Sequence, residues 1–145
     1  MNFGSLNYWP VLMAAVASFL FGAVWYGVLG RQWMAARGLS EADMAAAKAQ
    51  MGRLPVPYIV AFVALLVMAW MLAGVLLHLG QSGMAPSIRT GVISGFFLWL
   101  GFVVTTMTVN HSFQGARAAL TLIDGGHWLG VLLIQGAILG WWGLR

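Results

Sequence analysis

Asp124 and His127 carry the strongest chemical signal in this sequence. They stand three positions apart, so on a helix they share a face and their side chains can form a hydrogen bond. A carboxylate can hold a cation or a proton, and imidazole exchanges its proton near neutral pH. Asn110 and His111 stand shortly before them in the chain. This stretch is therefore the first candidate for a site that binds an ion, a proton or another small solute.

Asp124 has three interpretations. In the first turn of a helix its carboxylate would interact favourably with the helix dipole and cap free amides. It could instead form a structural contact with Arg117 or a histidine, or it could hold an ion or a proton. Together with His127 and His111 it could also supply three metal ligands, but the spacing alone is a weak signal for a metal. We therefore predict neither a metal site nor a cofactor.

The composition excludes most other classes of protein. Of the 145 residues, 61% are hydrophobic and 7% are charged, whereas a soluble domain has about 25% charged residues. This excludes a soluble domain and a disordered chain, and without a soluble basic face we expect no nucleic-acid binding. The sequence has no cysteine and none of the common catalytic motifs, so we expect no enzyme. What remains is a small polytopic membrane protein with one domain over residues 1–145.

Four apolar stretches are long enough to cross a bilayer, since a membrane helix needs roughly 20 mostly apolar residues. Their apolar runs are continuous rather than alternating, which favours helices over strands. The sequence therefore predicts an all-α, integral membrane bundle of four transmembrane helices. The predicted spans lie at about 8–29, 58–79, 90–109 and 125–144.

The polar connection 30–56 is predicted to contain a short helix, with Ser40 as its N-cap, Asp43 three residues later, and Gly52 at its end. Connections 30–56 and 110–124 share one side of the bundle. We expect anionic lipid headgroups as partners near the basic residues of the first connection, because these attract phosphate. Those residues are Arg31, Arg37, Lys48 and Arg53.

The basic residues also set the expected orientation. Connections 30–56 and 110–124 hold five Lys or Arg, namely the four just given and Arg117, whereas the opposite side holds Arg89 and Arg145. The positive-inside rule therefore places both connections in the cytoplasm and both chain termini outside. Six residues with possible chemistry then lie near the cytoplasmic side, with an aromatic pair as one wall. This candidate site consists of Trp25, Tyr26, Asn110, His111, Asp124 and His127.

Three spans have one polar or small face, as the interior of a bundle or the lining of a narrow pore requires. On a helical wheel these stripes are Ser18, Gly22 and Trp25; Ser94, Gly101, Thr105 and Thr108; and Asp124, His127, Val131 and Gln135. We expect Gln135 to form a hydrogen bond to another helix.

Small residues at four-residue spacing predict close helix packing, because helices in lipid approach each other where side chains are small. These faces could pack within one chain or against a second copy, and we predict a homo-oligomer of unspecified order. The packing candidates are Ser18, Gly22, Gly91, Gly95, Gly126, Gly130, Gly136 and Gly140.

The chain resembles the "domain of unknown function 1761" family of small bacterial membrane proteins with four spans. The resemblance rests on Gly22-x-x-Trp25-Tyr26, the following Gly30-x-x-Trp33, and Asp124-Gly125-Gly126-His127. It implies a multi-pass protein of a bacterial inner membrane, and it implies that Trp25, Tyr26, Asp124 and His127 belong to one constellation. The family carries no settled activity.

Two functions therefore stay open. The first is an oligomeric channel, transporter or binder of a small solute or cation, in which Asp124 supplies the fixed negative charge. The alternative is a non-catalytic structural or accessory subunit that packs against itself or a partner through its glycine-rich helix faces.

Overall fold

The regular elements of this protein are helices throughout the part of the chain that the structure describes. The structure is a computed structural model and describes residues 6–51 and 55–144, apart from the side chains of residues 48 and 51. Four of the helices are long and apolar enough to cross a membrane. The prediction of an all-α membrane bundle with four spanning helices is confirmed. The helices are α1 (Tyr8–Ala36), α2 (Glu41–Met51), α3 (Val56–Gln81), α4 (Ile88–Phe113) and α5 (Ala118–Trp142).

The long helices extend beyond the predicted spans at their polar ends. The first helix continues to Ala36 instead of ending near Leu29. The last helix begins at Ala118, so the run 118–123, which we expected within a connection, forms its first turns. Hydropathy locates the stretch that prefers lipid, whereas a helix continues into the headgroup region for as long as its backbone hydrogen bonds continue.

Each long helix runs antiparallel to the next long helix along the chain, and the two ends of the described chain meet at one end of the bundle. There the Asn7 amide donates to the Leu144 carbonyl oxygen at 3.1 Å. We call this the termini end. At the opposite end, the loop end, the Arg117 guanidinium donates to the Ala35 carbonyl oxygen at 2.9 Å.

The short helix α2 at the loop end has the predicted N-terminal cap. The Asp43 amide donates to Ser40 Oγ at 3.2 Å. The Ser40 hydroxyl and amide in turn donate to the Asp43 carboxylate, and together they hold the pKa of Asp43 below its ordinary value. Gly52, expected to end this helix, lies outside the described residues, as do the basic residues Arg53 and Arg145.

Helix α5 is central, since it contacts α1, α3 and α4. Towards the termini end, its backbone touches that of α4: a Cβ at Gly91 or Gly136 would collide with the main chain of the other helix. In the middle of the bundle, Gln135 Nε2 donates to the Leu65 carbonyl oxygen of α3 at 3.0 Å. The interhelical hydrogen bond predicted for Gln135 is therefore confirmed.

The small residues predicted to pack helices do so inside this chain. Ser18 of α1 is fully buried, and Gly22 faces the His127 ring. The other candidates lie against α1, α4 or α5, where an added Cβ would meet a neighbouring helix. These are Gly91, Gly95, Gly126, Gly130, Gly136 and Gly140. The faces that we assigned to self-association are thus already used within one copy.

The predicted interior stripe of α4 is wrong beyond its first half. One turn of this helix, Trp99–Val103, is π-helical, and a π-turn holds an extra residue, which rotates everything after it around the helix axis. Of the predicted stripe, Ser94 is half-buried, whereas Gly101, Thr105 and Thr108 are exposed. Both threonine hydroxyls donate to carbonyl oxygens of their own helix. A helical wheel with a constant angle of 100° cannot represent this change.

Candidate functional site

The Asp124 carboxylate is held by two neutral donors from α1. The Tyr26 hydroxyl and the Trp33 indole N–H both donate to Asp124 Oδ1, each at 2.8 Å. The two rings contact each other edge to face, with centroids 5.6 Å apart. One carboxylate oxygen is thereby fixed in place by a rigid aromatic pair.

Two more indoles donate to the α5 main chain on either side of Asp124. Trp25 Nε1 donates to the Ile123 carbonyl oxygen at 3.1 Å, and Trp99 Nε1 donates to that of Gly125 at 2.8 Å. Trp25 comes from α1, and Trp99 begins the π-helical turn of α4. We call these four donors the aromatic collar: Trp25, Tyr26, Trp33 and Trp99. The collar joins three helices around one short stretch of α5.

Asp124 lies within the membrane-spanning part of α5 rather than at its start. It is the seventh residue of the helix, about 9 Å along the axis at a rise of roughly 1.5 Å per residue. The helix is about 37 Å long, more than the roughly 30 Å of a hydrocarbon core, and Asp124 lies in its loop-end third. The expectation that Asp124 caps the first turn is therefore wrong.

The negative charge of Asp124 is not paired with a basic side chain in the described part of the protein. Arg117, one of its expected partners, donates to the Ala35 carbonyl oxygen instead. The ion pair that the described residues form joins Arg31 to Glu41 at 3.2 Å, outside the collar. No described residue donates a hydrogen bond to Asp124 Oδ2, so this oxygen is available to a ligand.

His127 lies one turn further along α5 and is enclosed by aromatic rings. Its imidazole is 7% exposed and lies parallel to the Phe21 ring, with the Tyr26 and Trp128 ring centroids each 4.9 Å away. Among the described residues, Nδ1 is buried without a hydrogen-bond partner. The expected hydrogen bond between His127 and Asp124 does not form, because the carboxylate turns towards α1.

The structure brings four of the six candidate residues together. Trp25, Tyr26, Asp124 and His127, the constellation that the family resemblance implied, form one cluster. His111 Nδ1 instead shares a hydrogen bond with Thr121 Oγ1 at 2.9 Å, which joins the end of α4 to the start of α5. Asn110 is exposed at the same end of the bundle.

Sequence reasoning missed Trp33 and Trp99 as members of the site. Trp33 fell outside the predicted first span, although it stands seven residues after Tyr26, which is two turns along the same helix face. The helical length of α1 was therefore the missing information. Trp99 had no comparable signal, because its direction depends on the π-helical turn that it begins.

Comparison with known proteins gives one match. The family model described as "Protein of unknown function (DUF1761)" matches residues 9–140, which include all five helices and the whole collar. The chain matches no curated protein and no solved structure.

Proposed function

We propose that this chain, which belongs to the DUF1761 family of proteins of unknown function, binds a small lipophilic cation at the Asp124 carboxylate. The observation that carries the proposal is a carboxylate within a helix long and apolar enough to span a membrane, with two neutral donors on Oδ1 and no hydrogen bond from a described residue on Oδ2. An ionised group in a bilayer is costly and needs a partner of opposite charge. A guest cation supplies the charge that the neighbouring side chains do not.

The surroundings of Asp124 favour an organic cation over a hard metal ion. Calcium takes six to eight oxygen ligands, and magnesium takes six in a strict octahedron. The site offers one carboxylate and the ring of Tyr26, whereas the Trp33 ring already holds the Arg37 guanidinium 4.7 Å from its centroid. Aromatic faces attract ammonium-type cations by about 0.5–2 kcal/mol.

The binding proposal is tested by a charge change that preserves shape. Asp124→Asn keeps an acceptor for both donors but removes the charge, so we expect it to abolish binding of tetraphenylphosphonium to the protein in nanodiscs. Glu41→Gln is the matched control, because it removes one exposed carboxylate at the same end of the bundle. Equal binding by Asp124→Asn and the unaltered protein would refute the proposal.

A structural or accessory role is the second candidate, and the outward surface of α4 favours it. Phe97 and Phe102 are 65% and 69% exposed, and α4 is the least buried of the four long helices. Since the glycine faces pack internally, a homo-oligomer or a partner would use this surface. Native mass spectrometry from nanodiscs tests this: a complex that dissociates in Phe102→Ser while Asp124→Asn leaves it intact would favour the accessory role.

We also propose that both termini lie outside a bacterial inner membrane and that the loop end faces the cytoplasm. Arg31, Arg37 and Arg117 of the described residues lie at the loop end, which supports this orientation by the positive-inside rule. Because the sequence contains no cysteine, single cysteines at Ser82 and Gln114 can report the two sides separately. An impermeant thiol reagent added to intact cells should label Ser82→Cys and leave Gln114→Cys unlabelled. The reverse labelling would invert the orientation.

A further inference from the structure

A groove between α3 and α4 at the termini end combines an apolar lining with one basic side chain. The groove encloses about 550 Å³, within the range of small-molecule sites. Leu79 of α3 and Ile93 and Phe97 of α4 are among its apolar walls, and Arg89 lies near its outer end, in the first turn of α4. Ser94 also lines the groove.

Arg89 has no acidic side chain of this chain within reach. The sequence contains three acidic residues, and all of them belong to the loop end: Glu41 and Asp43 on α2, and Asp124 in the collar. Within the described residues, Arg89 forms no ion pair. At the edge of a bilayer an uncompensated guanidinium attracts the phosphate groups of lipids, which it can bind through two parallel hydrogen bonds.

We infer that this groove binds one phospholipid, with its phosphate on Arg89 and an acyl chain along the apolar wall. Charge complementarity favours a lipid of net negative charge, such as phosphatidylglycerol, because Arg89 offers a positive charge that no described residue neutralises. The site is separate from the cation site, since it lies at the opposite end of the bundle. It is also separate from the basic connection 30–56, where the sequence predicts headgroup contacts.

The protein contains an internal comparison for this inference. A second groove of about 550 Å³ lies between α1 and α3 at the same end, with Trp9 and Leu66 among its lining residues. None of the described residues that line this second groove is charged. It can accept an acyl chain but cannot select a headgroup, so only the α3–α4 groove should distinguish anionic from zwitterionic lipid.

Native mass spectrometry of the detergent-solubilised protein tests the inference, with phosphatidylglycerol or phosphatidylcholine added at equal concentration. We expect one tightly retained phosphatidylglycerol, and roughly fivefold weaker retention in Arg89→Gln, the effect expected for one basic residue at a membrane surface. Arg117→Gln removes the same charge at the opposite end of the bundle, where the guanidinium donates to the Ala35 carbonyl oxygen, and should leave this retention unchanged. Equal retention by Arg89→Gln would overturn the site.

A second variant tests the acyl chain separately from the headgroup. Ser94→Phe fills the groove and leaves Arg89 in place, so we expect it to lower retention of phosphatidylglycerol as well. If Ser94→Phe retains the lipid fully, the acyl chain does not occupy the groove and the inference fails. If soluble glycerophosphate displaces the lipid at comparable concentration, Arg89 is a plain phosphate site and the inference also fails.

Discussion

The two halves of α5 are held in place by different physics. Near the loop end, four aromatic side chains donate hydrogen bonds to residues 123–125. Near the termini end, glycines bring the α5 main chain directly against the α4 main chain. The half near the loop end depends on specific hydrogen-bond donors and acceptors, whereas the half near the termini end depends on the lack of side chains at the glycines. Substitutions that remove a hydrogen bond should therefore destabilise the loop-end half, and substitutions that enlarge a side chain should destabilise the termini-end half.

The largest loss of stability is expected from Gly136→Leu, in the tightly packed half near the termini end. A Cβ at this position would overlap the Gly91 main chain, which cannot move aside as a flexible side chain could. Overpacking costs about 1–3 kcal/mol in ordinary cores, and we expect the upper end of that range, or separation of the two helices. Thermal unfolding in detergent, followed by circular dichroism, measures the loss.

Gly27→Leu is the matched control for Gly136→Leu. A Cβ at Gly27 of α1 would have no neighbouring atom within 4 Å, so the same substitution should change stability little. If the two variants unfold alike, the close approach of α4 and α5 does not stabilise the bundle, and the contrast between the halves disappears.

The next effect is expected in the hydrogen-bonded half, where Asp124→Ala removes the acceptor of two donors. The Tyr26 hydroxyl and the Trp33 indole would then be left without their partner, at a cost of about 2 kcal/mol. Asp124→Asn keeps an acceptor oxygen and should lose less than half as much. The same unfolding assay compares the pair. If Asn is as damaging as Ala, the negative charge itself stabilises the fold, and the collar is not simply a hydrogen-bonded joint.

The sequence allowed the packed half to be predicted more completely than the hydrogen-bonded half. The spacing of Gly91, Gly95, Gly136 and Gly140 indicates close helix contact directly, since only small residues permit it. The spacing cannot say whether the partner helix belongs to the same chain, and the structure supplies that answer. The fold class followed from composition and apolar length alone.

The collar was predictable only in part, because its geometry depends on where helices begin and end. Tyr26 and Asp124 were singled out, but helix capping, a contact with Arg117 or a histidine, and ion binding all stayed open for Asp124. Because α5 begins at Ala118, Asp124 lies almost two turns inside the helix, where neutral donors from α1 reach it. The π-helical turn of α4, which sets the position of Trp99, leaves no recognised mark in the sequence.

A smaller effect is expected from Trp33→Phe. This change keeps an aromatic ring in contact with Tyr26 and removes one hydrogen bond to Asp124. Hydrogen bonds between membrane helices contribute about 0.6 kcal/mol on average, with larger values near 1.7 kcal/mol, so we expect a loss of about 1 kcal/mol. Trp141→Phe is the control, because Trp141 is 71% exposed on the lipid-facing surface. Equal losses in both variants would mean that the Trp33 hydrogen bond adds nothing.

The smallest effect concerns α2, the helix outside the bilayer, where water competes for every hydrogen bond. Folding lowers the pKa of Asp43 below its ordinary value of 3.8 because the Ser40 hydroxyl and amide donate to its carboxylate. The stabilisation of this cap is therefore complete at pH values above that ordinary pKa and is lost as the pH falls through the lowered pKa.

Hydrogen exchange at the α2 amides should accelerate relative to α5 in this acidic range, after correction for intrinsic exchange. In Ser40→Ala the difference should become smaller, because Asp43 loses the hydroxyl donor and keeps only the amide of residue 40. If α5 opens in parallel with α2, acid acts on the bundle as a whole, and the separation between the solvated cap and the membrane-embedded helix fails.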